Sequence, residues 1–291
     1  MKFKLALIAV TGSFAAANMA SALTVIQTTA SADLSAALGG GGGLAITSAT
    51  VVNGASGQFG TYSGFTSPPV TIGDGVVMST GQVAQVIPTY NNGAQGTFTT
   101  PSTDMGVGGT TEFNAYGPGH ISNFISSNDV AALQVSFSLA AASQIGFSFI
   151  FGSAEFPQYT SNFTDAFLVF LDGKAVANQI VFDPSNNAVQ VGNTFSSALT
   201  KGDTNTAFAN PHGLLELTTF TASALTAGNH TLWFEVADVN DHILDSGVFI
   251  TNLHAGSGTP GTNVPDSGTT ASLLGLAMLG LAGLRRKLNL A

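Results

Sequence analysis

Leu133-Gln134-Val135-Ser136-Phe137-Ser138-Leu139, followed after a short break by Ile145-Gly146-Phe147-Ser148-Phe149-Ile150-Phe151, decides the fold. In the first run apolar and polar residues alternate with period two. An extended chain sends one such set to a core and the other to solvent. Ala166-Phe167-Leu168-Val169-Phe170-Leu171 is a third strand-like run, and it closes on Asp172-Gly173, a hairpin signal. Thr231-Leu232-Trp233-Phe234-Glu235-Val236 and Val248-Phe249-Ile250-Thr251-Asn252-Leu253 repeat the pattern downstream. Little of this region carries the 3.6-residue period of a helix. Short strands separated by Gly, Asn, Pro and Ser predict an all-β protein, a β-sandwich of jelly-roll-like layering.

Upstream of these strands, Ser31 to Leu38 reads as a short helix, with Ser31 able to cap its start and Gly39 to end it. Gly39 to Gly43 are five consecutive glycines, a flexible or close-packed turn; no G-x-G-x-x-G or G-K-[ST] pattern completes a phosphate loop. The chain has 21 Phe, one Trp and four Tyr. Phe147, Phe149, Phe151, Phe163, Phe167 and Phe170 suit either a stacking platform for sugars or a core, and their alternation along strands favours a core between two sheets. With no Cys there is no disulfide framework and no thiolate site, so apolar burial is the main source of stability. We read one domain over residues 23–255.

Charge sharpens the picture. The 291 residues carry a net −9, and five of the seven bases lie at the ends. From Leu23 to Asn263 only Lys174 and Lys201 are basic, against fifteen acids, a net −13. Such a body does not neutralise phosphates, which excludes a nucleic-acid binder. At 44% hydrophobic residues the chain is too apolar for disorder.

The two ends read as processing segments. Met1 to Ala22 has Lys2 and Lys4, then an apolar stretch, then Ala20-Ser21-Ala22 as a small-x-small cleavage site: a secretory signal. Residues 256–263, rich in Gly, Ser, Thr and Pro, form a spacer. Val264-Pro265-Asp266-Ser267-Gly268 follows, then an apolar segment from Thr269 to Leu284, then Arg285-Arg286-Lys287. The sixteen residues from Thr269 to Leu284 give roughly 24 Å of helix against a hydrocarbon core of roughly 30 Å, enough for a transient anchor with the basic cluster on the cytoplasmic side. This order over 264–287 resembles the VPDSG variant of PEP-CTERM sorting signals. The resemblance implies export in a Gram-negative bacterium through the secretion machinery and signal peptidase, and transient inner-membrane association. Cleavage by an exosortase-like protease would then transfer the product to the cell surface or extracellular matrix.

Two acidic groupings stand out. One is Phe151-Gly152-Ser153-Ala154-Glu155-Phe156 with Asn162-Phe163-Thr164-Asp165-Ala166-Phe167; the other runs from Ala237-Asp238-Val239-Asn240-Asp241-His242 through Asp245-Ser246-Gly247 to Ile250. Clustered carboxylates on loops between strands suit a hard cation, and calcium takes six to eight oxygen ligands in irregular geometry. Asp238, Asn240, Asp241 and Asp245 offer several from one loop, with Glu155 or Asp165 arriving from elsewhere. The alternative is turn chemistry, in which the same groups bond backbone N–H groups or face solvent. Together with Val76-Val77-Met78-Ser79-Thr80-Gly81, these stretches resemble the choice-of-anchor L domain, a module of secreted bacterial proteins. Ala154 departs from that family's pattern, which commonly carries a second acid there, and Phe156 replaces an aromatic hydroxyl. The resemblance implies a surface role and brings no catalytic activity with it.

The five histidines form no H-E-x-x-H pair, and no G-x-S-x-G elbow occurs. The expectation is therefore a non-catalytic exported protein, structural or adhesive. A calcium-dependent carbohydrate-binding module acting on exopolysaccharide is the alternative. An extracellular hydrolase using Glu155 and Asp165 ranks third, because it needs two carboxyls about 5–9.5 Å apart across a cleft.

Overall fold

A computed structural model describes residues 22–66, 72–88, 100–192, 204–208 and 224–256, and the backbone of 213–220. The expected leader, the spacer after Gly256 and the 264–287 tail lie outside the described residues. Two helices and eleven strands are described: β1 (Thr24–Gln27), α1 (Ser31–Leu38), β2 (Leu44–Asn53), β3 (Phe59–Ser63), β4 (Gly75–Ser79), α2 (Thr111–Tyr116), β5 (Ser127–Leu139), β6 (Ile145–Ser153), β7 (Ala166–Leu171), β8 (Val189–Gln190), β9 (Gly213–Phe220), β10 (Gly228–Val239) and β11 (Ser246–Ala255). They form a six-stranded sheet, β1-β3-β4-β11-β6-β9, and a five-stranded sheet, β2-β5-β10-β7-β8. Every strand pairing is antiparallel. From β4 onward the chain shuttles from one sheet to the other at almost every connection, the jelly-roll-like layering expected.

The period-two runs fill the space between the sheets. Leu133, Val135, Phe137 and Leu139 of β5 face inward with Leu232, Phe234 and Val236 of β10, and meet Phe147, Phe149 and Phe151 of β6. Rings cross the gap directly: Phe147 stands edge-on to Phe234 at 5.2 Å and Phe149 lies 4.9 Å from Phe167. The core reading of the phenylalanines therefore holds for Phe147, Phe149, Phe151 and Phe167. Phe170 is buried on the outer face of the five-stranded sheet, under Phe113 and Tyr116 of α2. Phe163 is half-buried in the β6–β7 loop, edge-on to Tyr159.

Local expectations are refined in three places. The helix is where the sequence puts it, but Ala30 is its cap residue, and the Ser31 hydroxyl instead accepts the Ala49 N–H at 3.1 Å, tying α1 to β2. The glycine run is close-packed: a Cβ on Gly42 would lie 2.1 Å from the Ala255 carbonyl oxygen, and Gly42 has φ +64°. Asp172-Gly173 does reverse the chain, but the backbone bridge back to β7 comes at Gln179, opposite Phe170, after the Asn178 amide has donated to the Leu171 carbonyl.

Candidate functional site

Both sheets finish together at one end of the sandwich. In the six-stranded sheet β4 and β6 stop and β11 starts, with Ser246 opposite Ser153 and Gly247 opposite Ser79. In the five-stranded sheet β10 stops while β7 and β5 start, with Ala237 opposite Ala166 and Asp238 opposite Asn128. Between Val236 and Asp238 the β10–β5 register slips, and β5 carries the extra residue. Asp129 occupies that bulge at φ +45°, a conformation that Asp tolerates better than most side chains. The three stretches that carry the family resemblance all end here.

Glu155, Asp165, Asp238 and Asp245 are each 0% exposed, as is Asp129. Asp165 is held firmly: its Oδ1 accepts the Val239 N–H at 3.1 Å and its Oδ2 the Ser246 hydroxyl at 2.7 Å. Asp245 Oδ1 accepts the Thr103 N–H at 2.8 Å. Its Oδ2 accepts nothing and lies against Gly81, where an added Cβ would come within 1.7 Å of it. Glycine at 81 is thus what admits the Asp245 carboxyl. Neither oxygen of Glu155 or of Asp238, nor Oδ1 of Asp241, has a hydrogen bond of ordinary geometry from a described residue. Looser contacts come from the Asp165 N–H to Glu155 and from the Thr80 hydroxyl to Asp238, which also meets the Asp165 carboxyl. One oxygen from each of Glu155, Asp165 and Asp241 comes within 4.8 Å of the others.

Burying carboxyls without partners favours their protonated forms. Burial first, then the charges of Asp165 and Asp241, push Glu155 up to about 11. Burial carries Asp165 to about 7 against the hydrogen bonds from Ser246 and Val239 that hold it down. Asp238 is raised well above the carboxylate range by burial and then by Asp165, Asp245 and Asp129. Asp245 reaches about 6, again chiefly through burial, and burial likewise raises Asp241. Among the described residues the one base at ion-pair distance from this group is His242, whose Nδ1 lies 3.3 Å from Asp129 and 3.8 Å from Asp104.

Of the six residues expected to gather around a cation, Glu155, Asp165 and Asp241 bring oxygens together, Asp238 and Asp245 are buried at the same end of the sandwich, and Asn240 stands apart. Its amide oxygen accepts the N–H groups of Ile125 and Ser126, and its nitrogen donates to the carbonyls of Asn123 and Asn162. Asn240 braces three loops. Asp129 and Asp104 are members that the sequence reading missed, and with His242 they bring one potential ligand atom each within 4.8 Å of the others.

A second buried acid, Glu235, lies under α2. It is 0% exposed, and its Oε2 accepts the hydroxyl of Thr110, the same side chain that caps α2 through the Phe113 N–H. Glu112 and Lys174 form an ion pair beside it, and the Lys174 ammonium lies 5.8 Å over the Trp233 ring. Burial, then the hydrogen bond with Glu112, lift Glu235 to about 8. Burial alone would raise Glu112, but Lys174 and the Glu235 contact bring it below the usual value. The opposite shifts favour a proton on Glu235 and charge on Glu112, and Glu235 Oε1 has no hydrogen bond of ordinary geometry.

The sequence matches the choice-of-anchor L domain over residues 24–256 and the VPDSG-CTERM motif over 263–288. The motif implies processing by exosortase-like sorting machinery and export to the cell surface. No curated protein sequence matches the chain. Among solved structures, a carbohydrate-binding module specific for non-crystalline cellulose is similar over 67% of this chain and 83% of its own, at 10% identity and a TM-score of 0.30, too slight a likeness to carry a ligand across. Among the described residues no helix is long and apolar enough to cross a membrane.

Proposed function

The chain belongs to the choice-of-anchor L family, and from that premise we propose that it is a non-catalytic, structural or adhesive protein of the cell surface or extracellular matrix, stabilised by calcium at one end of its sandwich. The sorting motif supports delivery to the surface after transient retention in the inner membrane of a Gram-negative cell. The carboxylates support the calcium. The single observation that carries this part is that Glu155, Asp165 and Asp241 bring one carboxylate oxygen each within 4.8 Å of the others, two of the three side chains being 0% exposed. A hard divalent cation satisfies such oxygens and cancels their mutual repulsion.

The same geometry speaks against glycoside hydrolysis at Glu155 and Asp165. Their nearest oxygens are within 4.8 Å and both side chains are fully buried, so no sugar ring enters between them.

Melting of the full-length chain in detergent, with calcium chloride and with chelator, tests the calcium reading. An ion at one hundred times its Kd stabilises by about 2.7 kcal/mol, or roughly 5–10 °C for a domain of this size. Superimposable melting curves would contradict it.

A further inference from the structure

At the opposite end of the sandwich the inward row of β10 finishes on a titratable side chain. Val236, Phe234 and Leu232 face the core, and the next residue on that face is His230, 9% exposed. Its ring stacks on Phe137 of β5, its register partner, with centroids 5.5 Å apart. The imidazole closes the apolar layer and turns its two nitrogens to the chain around it.

What those nitrogens meet decides the charge of the ring. Nδ1 lies 2.6 Å from Asp172 Oδ2, and Nε2 lies 2.9 Å from the carbonyl oxygen of Thr226. An ionised carboxylate and a carbonyl both accept, and neither donates. A neutral imidazole carries one N–H and satisfies one of them; an imidazolium carries two and satisfies both. Both acceptors are fixed without the histidine. Asp172 donates its N–H to the Thr231 carbonyl and accepts the Thr231 N–H on Oδ1, each at 2.9 Å. Thr226 follows Leu225, whose N–H and carbonyl both pair with Ser143 of the β5–β6 turn, at 2.8 and 3.0 Å.

The charged group acting on His230 is Asp172, on the turn after β7; β5 presents the Phe137 ring, and the approach to β10 presents the Thr226 carbonyl. Burial by itself would favour the neutral ring, but the two hydrogen bonds and the Asp172 charge outweigh it and lift His230 above its ordinary 6.5. We propose that His230 is a pH-sensitive latch, an imidazolium that ties the turn after β7 to the approach to β10 across the end of the core and lets go of Thr226 when it loses a proton. The proton that remains stays on Nδ1, because the carboxylate is the stronger acceptor. The unfolded chain releases its proton near 6.5 and the native chain at a higher pH. The contribution of the latch is therefore complete below 6.5 and is lost as pH rises through the native value. It involves none of the carboxylates at the other end and does not depend on calcium.

Nitrogen-15 imidazole spectra of the full-length chain in detergent, titrated from about pH 5 to about pH 9, read both states of the ring. His230 is picked out by the signal lost in His230→Gln and by its contact with the Phe137 ring. The expected result is two ring N–H groups and a midpoint above 6.5, giving way to the Nδ1–H tautomer; Asp172→Asn should abolish the upward shift. Over the same range wild type should lose about 2–4 °C of melting temperature relative to His230→Gln, a comparison in which carboxyl titration elsewhere cancels. A midpoint at or below 6.5, a neutral ring that keeps Nε2–H, or parallel melting curves would each overturn the latch. The wild-type spectra decide even where a variant does not fold.

Discussion

Beneath α2, the buried Glu235 and the half-buried Glu112 have a hydroxyl and an ammonium of the chain beside them, although Glu235 Oε1 has no hydrogen bond of ordinary geometry; at the end of the sandwich, Glu155 and Asp238 have no described Lys or Arg beside them. The difference lies in what each carboxyl meets. Glu235 receives the Thr110 hydroxyl, is held up in pKa by its contact with Glu112, and has the charge of Lys174 one side chain away. Glu155 and Asp238 meet other acids, and the donors beside them, the Asp165 N–H and the Thr80 hydroxyl, make no hydrogen bond of ordinary geometry. The two places use the same residue type in a molecule with two bases in its exported body, and the one near Lys174 balances itself. The other needs something brought in. Buried carboxylates with a base beside them point to structure; buried carboxylates without one point to a cation.

The contrast can be broken most forcefully at Gly81. Gly81→Ala puts a Cβ where the Asp245 Oδ2 now lies, and Asp245 cannot swing away without losing the Thr103 N–H. We expect a loss of about 1–3 kcal/mol, as for other intrusions into tight packing, together with a smaller rise in melting temperature on adding calcium. A variant that melts like wild type and responds to calcium like wild type would show that Asp245 takes no part.

A smaller effect sharpens the side near Lys174. Glu235 titrates near 8 in the folded chain against an ordinary value of 4.5. Between those limits the native state holds a proton that the unfolded chain has released, so stability falls as pH rises from 4.5 to about 8 and then levels. Glu235→Gln replaces the proton by an amide that donates to Glu112 at any pH. Measured in saturating calcium, the variant should melt about 2–4 °C above wild type at pH 8, the equivalent of roughly 1 kcal/mol, and match it near pH 4.5. A constant difference across that range would mean that Glu235 is ionised in the native protein. Lys174→Met should enlarge the wild-type pH effect, because it removes the charge that lets Glu112 stay ionised.

Much of the architecture was legible because period two is imposed by the strand itself. Leu133, Val135, Phe137 and Leu139 are inward for the same reason that they alternate. The site was legible in part. Glu155, Asp165, Asp238, Asp241 and Asp245 sit at strand ends, where acids in turn-like sequence are conspicuous, and three of the six expected residues bring oxygens within 4.8 Å of one another. Asn240 looked like a ligand because Asn commonly is one, but its amide is committed to neighbouring loops, a long-range fact that spacing does not contain.

Asp129 and Glu235 were hidden for the opposite reason. Each lies inside a strand among apolar neighbours, Asp129 before Val130-Ala131-Ala132-Leu133 and Glu235 between Phe234 and Val236. An acid in such a run is itself the signal, since burial without a partner is costly. The Gly39–Gly43 turn was ambiguous because glycine serves flexibility and close approach alike. Contact with the Ala255 carbonyl, two hundred residues away, resolves it.

A crystal structure of the protein soaked in calcium chloride tests the central claim most directly. The account predicts electron density for an ion within about 2.3–2.6 Å of oxygens from Glu155, Asp165 and Asp241. Clear density for those side chains paired carboxyl to carboxyl, with no ion between them, would contradict it.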